Sequence, residues 1–189
     1  MGEAYGFWKL GDCEDEELME LITSANIATG FHAGDPNLMN RSVELAVQHG
    51  VAIGAHPGYN DLQGFGRRKI TASSNELLND IIYQVGALRE FGALHGASLQ
   101  HVKPHGALYM EMATNKELAE HFLSFMRSTA PDTFVFCMGN SEFYELAKRV
   151  GQPVVREFFA DRDYDGSGSI VFIRQARKLS AKKVADKVL

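Results

Sequence analysis

The chain has 189 residues, 45% of them hydrophobic and 23% charged, the proportions of an ordinary globular domain long enough to bury one core without staples. Nineteen basic against 24 acidic residues leave a net charge of −5, which gives no electrostatic case for a nucleic-acid partner. No apolar run approaches the roughly 20 residues that span a bilayer, so no membrane association is expected.

Met1 to Asp12 is rich in glycine and aromatic residues and reads as a loop, without the basic-then-apolar pattern of a signal peptide. A helix is predicted from Glu14 to Thr23, acidic in its first turn, with Leu18, Leu21 and Ile22 on its apolar face. A strand from Ala25 to Phe31 follows, within the stretch N-I-A-T-G-F-H-A-G-D-P. That stretch ends on Asp35-Pro36, a capping carboxylate with proline at the first helical position. The next helix runs to His49 on a stripe of Leu38, Met39, Val43, Ala46 and Val47 and stops at Gly50. Val51 to Ala55 is a short strand ending in His56-Pro57-Gly58, and a loop of about fifteen residues leads to Thr71, long enough to suggest function.

Ser73 and Glu76 have capping-box spacing for a helix that continues nearly to Gly96. Leu99 to Lys103 is a third strand, cut off by Pro104. Thr114 and Glu117 repeat the capping-box spacing before a helix to Thr129 carried by Leu118, Phe122, Leu123 and Met126. Thr133 to Met138 is a fourth strand, Ser141 caps a short helix ending at Gly151, and Pro153 to Phe159 is a fifth strand. A polar, turn-rich segment from Ala160 to Ser169, an apolar run Ile170 to Ile173 and a lysine-rich, helix-compatible tail from Ser180 to Leu189 complete the chain.

Strands alternating with helices indicate parallel βα units, which an open doubly wound sheet and a closed barrel both satisfy. Side-chain parity favours the barrel. One face of the first two strands carries Ile27, Thr29, Phe31 and Val51, Ile53, Ala55; the other carries Asn26, Ala28, Gly30, His32 and Ala52, Gly54, His56. The bulky set suits helices, and the small set suits a crowded lumen whose mouth carries a histidine. In either architecture, ligands bind at the carboxyl ends of the strands.

His32, His56 and the group His101, Lys103, His105 all lie at predicted strand C-termini. The last three share one face if the chain stays extended through Pro104. Each histidine alone reads equally as a hydrogen-bonded structural residue; their recurrence at three strand ends is the functional signal. Asp35 reads first as a helix cap, with lining of the site as the alternative. Asp61, Arg67 and Arg68 lie in the long loop, where G-F-G-R-R offers arginine forks for a carboxylate or phosphate, or merely solvated arginines. Asp161, Arg162, Asp163 and Asp165 follow the fifth strand; their D-x-D-x-D spacing is a weak calcium signal, and a turn with Asp161 and Arg162 at the mouth fits equally. No phosphate loop, dinucleotide fingerprint or nucleophile elbow is present. The residues suit general acid–base or metal-assisted hydrolysis. Cys13 and Cys137 match no metal spacing and are expected to be reduced thiols of a cytoplasmic protein.

The blocks T-S-A-N-I-A-T-G-F-H-A-G-D-P, G-V-A-I-G-A-H-P-G-Y-N-D, G-F-G-R-R, H-V-K-P-H-G-A-L-Y and F-A-D-R-x-Y strongly resemble the LamB/YcsF family, in order and with natural spacing from about Gly2 to about Ile170. The resemblance implies an irregular (β/α) barrel of the kind shared with polysaccharide deacetylases and some glycoside hydrolases, here incomplete, in a single domain over 1–189 with a divergent tail from 171. It implies the A component of an ATP-dependent 5-oxoprolinase, a lactam hydrolase opening 5-oxo-L-proline to L-glutamate, with partner subunits B and C. A homo-oligomer is compatible with it. ATP enters as co-substrate, on this chain or on a partner; a divalent metal is compatible but not indicated, and no residue is assigned as a metal ligand. The catalytic set carried over is His32, His56, Lys103, His105 and Asp161, with Asn26, Asp35, Arg67, His101 and Arg162 as substrate-binding residues.

Family members usually begin with a strand D-L-N-x-D-L-G-E, and Met1 stands about where the second leucine would be. They also continue past F-A-D-R through further βα units. The expectation is therefore a barrel lacking its first strand and last units, with exposed sheet edges. Thr29 replaces the cysteine often found in N-I-A-C-G-F-H, a swap expected to matter little. Two other readings compete: a metal-dependent deacetylase-like hydrolase with His32, His56 and Asp35 as ligands, by fold analogy alone, and an inactive binding remnant.

Overall fold

A computed structural model describes residues 1–6, 15–171 and 179–188. Cys13, the predicted start of the first helix at Glu14 and the end of the apolar run at Phe172 and Ile173 lie outside these residues. Among the described residues five strands form one parallel sheet in strictly sequential order: β1 (Ser24–Ala28), β2 (Ala52–His56), β3 (Leu99–Val102), β4 (Phe134–Met138) and β5 (Val154–Glu157). A doubly wound sheet reverses its strand order partway. Right-handed crossovers without such a reversal keep the helices on one face, as in a section of a barrel. Among the described residues the sheet is open, with β1 and β5 at its edges.

Seven helices accompany the strands among the described residues: α1 (Asp15–Met19), α2 (Pro36–Gln48), α3 (Ser74–Leu94), α4 (Gly106–Thr114), α5 (Lys116–Thr129), α6 (Glu142–Val150) and α7 (Ala181–Val188). None is long and apolar enough to cross a membrane. The core lies between the sheet and this helical layer. Ile27, Ile53, Ala55, Val102, Val135 and Cys137 from the strands meet Val43 and Ala46 of α2, Ile81, Val85 and Leu88 of α3, Phe122 and Met126 of α5 and Phe143 of α6. The parity assignment of the first two strands thus holds, the bulky set being the helical face. In α2 the buried stripe is Met39, Val43 and Ala46, while Val47 is 41% exposed, because the face turns away from the sheet one residue past Ala46.

The capping signals translate directly, with one exception. Asp35 caps α2 by accepting from the Asn37 and Leu38 amides, and Ser73 with Glu76 forms the complete capping box of α3. Ser141 caps α6, which closes on left-handed Gly151. The Thr114 spacing misled. Asn115 caps α5, accepting from Leu118 N at 3.2 Å, whereas the Thr114 hydroxyl turns back to the Met110 carbonyl. The reason is a helix missed in the sequence, α4, whose last residue is Thr114; a residue ending one helix is not free to cap the next.

The β1 edge is not bare. Met1 donates to the Asn26 carbonyl at 2.9 Å and accepts from the Ala28 amide at 3.0 Å, the pair of bonds a residue in a neighbouring parallel strand makes. This holds the first residues against β1 and brings Glu3 to the carboxyl end of the sheet.

Candidate active site

The β2–β3 ladder continues beyond both strands. Lys103 N donates to the Ala55 carbonyl at 2.9 Å and His105 N to the Pro57 carbonyl at 2.8 Å, so the chain stays extended through Pro104. The continued ladder sets the His56 and His105 rings side by side, His105 Nδ1 lying 3.0 Å from His56 Nε2. His32, just beyond β1, stacks flat on His105 with ring centroids 3.7 Å apart and planes 5° from parallel. All three are buried, His32 at 1% exposure.

Each ring is held from behind. His56 Nδ1 lies 2.6 Å from the Lys103 carbonyl and His105 Nε2 lies 2.8 Å from the Phe65 carbonyl. Phe65 supplies that carbonyl from a left-handed conformation, φ 53°, unusual for a residue with a side chain. Behind the His56-Pro57-Gly58 turn, the fully buried Gln84 accepts from the Gly58 amide and donates to the Gly58 carbonyl, both at 2.9 Å. Its oxygen also accepts from the Thr29 hydroxyl at 2.9 Å, so Thr29 takes part in supporting the turn.

Burial, foremost, keeps these imidazoles neutral. It drives His32 and His56 well below the usual histidine range, each helped by the neighbouring His105. His105 is pushed down to about 4 by burial, against the Phe65 hydrogen bond and with the Arg67 and Lys103 charges. Arg67 is itself lowered by burial and by the nearby Arg162.

A cavity of about 170 Å³ opens beside the cluster, lined by Glu3, His56, Arg67, Lys103, His105, Tyr109, Phe159 and Arg162 among others. A larger groove of about 560 Å³ lies between α4, α5 and α6. It reaches the turn after β4 but holds no buried titratable cluster, whereas the smaller cavity adjoins one, which makes the smaller cavity the candidate site. At its wall Lys103 Nζ pairs with Glu157 Oε1 at 2.6 Å and sits over the Phe159 ring at 4.8 Å.

Other residues singled out in the sequence stand elsewhere. His101 is on the same sheet face as His105 but four residues deeper, a distance of about 13 Å along an extended chain. There it bonds Asn26 Oδ1 at 2.8 Å, stacks on Phe136 at 4.2 Å and lies over Gly54, where any Cβ would collide with its ring. Asn26 and His101 thus pair with each other beneath the mouth; shared parity fixes a face and leaves depth open. Asp35 has its oxygens committed to the Asn37, Leu38 and Gly6 amides. Asp61 is bound by Arg68. Asp161 pairs with Arg162 at 3.5 Å, its side chain 55% exposed, and Arg162 rather than Asp161 reaches the cavity. Asp165 closes its own turn by accepting from the Ser167 and Ser169 amides, so the D-x-D-x-D run serves a turn. Glu3, Phe65, Gln84 and Glu157 were not among the candidates. Only Glu3 had a signal, the Gly-Glu that follows Met1.

A singly wound parallel sheet with buried imidazoles and cations converging at its carboxyl ends defines a β/α protein whose candidate site lies at the strand mouth. More particularly, the chain belongs to the LamB/YcsF family, whose model matches residues 1–189. It is 58% identical over 189 residues to a 5-oxoprolinase A subunit of Pseudomonas aeruginosa, covering 100% of this chain and 75% of that protein. It is 45% identical over 176 residues to the 5-oxoprolinase A subunit of Natranaerobius thermophilus, covering 93% of this chain and 68% of the relative. The fold matches a crystal structure of a lactam utilization protein from Thermus thermophilus with a TM-score of 0.89 and 38% identity, over 98% of this chain and 75% of that one.

Proposed function

We propose that the chain is the A subunit of an ATP-dependent 5-oxoprolinase, opening 5-oxo-L-proline to L-glutamate together with subunits B and C. The names of its relatives support the reading. The observation that carries it is the meeting of two neutral imidazoles, His56 and His105, backed by His32, with Lys103, Arg67 and Arg162 around a cavity sized for one small molecule.

A lactam is a resonance-stabilised amide, and ATP is needed to activate it. Transfer of the γ-phosphoryl group to the lactam oxygen releases ADP and makes the ring carbon electrophilic. Water adds to that carbon, and departure of the protonated ring nitrogen opens the ring. A second water releases phosphate from the acyl phosphate, leaving glutamate. In this scheme the histidine cluster orients the attacking water, while Lys103 with Arg67 or Arg162 holds the substrate carboxylate or the phosphate. The chain has no recognisable phosphate loop, which favours placing the nucleotide on a partner protein. Dependence on ATP fits a cytoplasmic location, which is part of this proposal.

The test is glutamate release by a reconstituted three-subunit complex. His56→Ala and His105→Ala, each verified as folded, should abolish it; near-normal turnover by either would overturn the assignment.

A further inference from the structure

The proton inventory of the cluster leaves something unaccounted for. The Lys103 carbonyl can only accept, so the hydrogen of His56 is on Nδ1; the Phe65 carbonyl can only accept, so that of His105 is on Nε2. His56 Nε2 and His105 Nδ1 are then both bare, and they face each other at 3.0 Å. Two lone pairs at that separation repel unless an electrophile lies between or beside them. Beside them, His32 has both ring nitrogens buried with no hydrogen-bond partner among the described residues, although buried polar groups are almost always paired.

One cation answers both observations. With metal–nitrogen bonds of about 2.0–2.1 Å, neighbouring ligand atoms on one ion lie roughly 2.9–3.4 Å apart, and the His56–His105 separation falls in that range. Glu3 adds a carboxylate, and one ligand atom from each of Glu3, His32, His56 and His105 lies within 4.8 Å of the others. The backbone carbonyls behind His56 and His105 have a matching role, since metal-binding histidines usually donate their second N–H to such a group, which fixes tautomer and ring orientation. Asp35, engaged at its helix cap, is not part of this set.

We propose that Glu3, His32, His56 and His105 bind one divalent first-row transition cation, of which zinc is the type, at the mouth of the sheet. Three imidazoles and one carboxylate favour zinc, cobalt or nickel over magnesium or calcium, which prefer all-oxygen shells. Glu3, His56 and His105 also line the cavity, so the ion faces the space where a water or substrate oxygen completes its shell.

Binding is read on the purified chain without substrate, so its failure leaves the lactam reading standing, and failure of that reading leaves this one. Chelator-dialysed protein is titrated with zinc by calorimetry and with cobalt by visible absorption. One equivalent should bind, with cobalt bands of nitrogen–oxygen ligation. His105→Ala should lose stoichiometric binding, and Glu3→Gln, at a partly exposed position where folding is not at stake, should weaken it at least tenfold. His49→Gln, on the surface, should bind like the parent. Absence of a bound equivalent, or unchanged affinity in both Glu3→Gln and His105→Ala, overturns the proposal.

Discussion

Lys103 Nζ and Glu157 Oε1 meet at 2.6 Å across the mouth of the sheet, joining the end of β3 to the end of β5 with both side chains about one-seventh exposed. Removing one member of so enclosed a pair leaves the other charge uncompensated. Glu157→Leu is expected to cost about 3 kcal/mol in urea unfolding, and Lys103→Met combined with Glu157→Leu should recover most of it. If the double variant is no more stable than the single one, the pair is not the source of the cost.

His101 gives a pH dependence of definite sign. Burial first, and the Lys103 charge second, push it from 6.5 down to about 4. Between these values the unfolded chain binds the extra proton. The contribution is therefore fully present above pH 6.5 and lost as pH falls toward 4, with a slope of up to about 1.4 kcal/mol per pH unit. Comparing the parent with His101→Gln cancels the other histidines. The stability difference should shrink over this window on acidification, and a difference independent of pH would refute the assignment.

Asp35 separates capping from chemistry. Burial alone would raise its carboxyl, yet the Leu38, Gly6 and Asn37 amides hold it below the usual range. As a cap, Asp35→Ala should destabilise the protein by about 1 kcal/mol, whereas Asp35→Asn, an equally good cap, should cost a few tenths. Thermal unfolding of the two variants decides between them. Equal, large losses would point to a need for the negative charge itself.

The local chemistry of the sequence carried far. Asp35-Pro36, Ser73 with Glu76 and Ser141 start helices because capping is a contact within four residues. The alternation in Asn26–Ala28 and Ala52–His56 identified the inner face because strand side chains alternate regardless of what surrounds them. It put His56 at the mouth, whereas β1 ends at Ala28, short of the predicted Phe31, and His32 reaches the mouth from the bend that follows, past Gly30 at φ 93°.

Tertiary structure decided the rest. Parity gave His101 and His105 the same face, but their depth along the strand separated a structural pair with Asn26 from the cluster at the mouth. The approach of Glu3 depends on Met1 pairing beside β1, and the fixing of His105 depends on a Phe65 carbonyl forty residues away. The facing lone pairs of His56 and His105 depend on a ladder that runs on past two strands. Contacts of this kind are set by register and by loops that close over long stretches of chain, and no local pattern in the sequence encodes them.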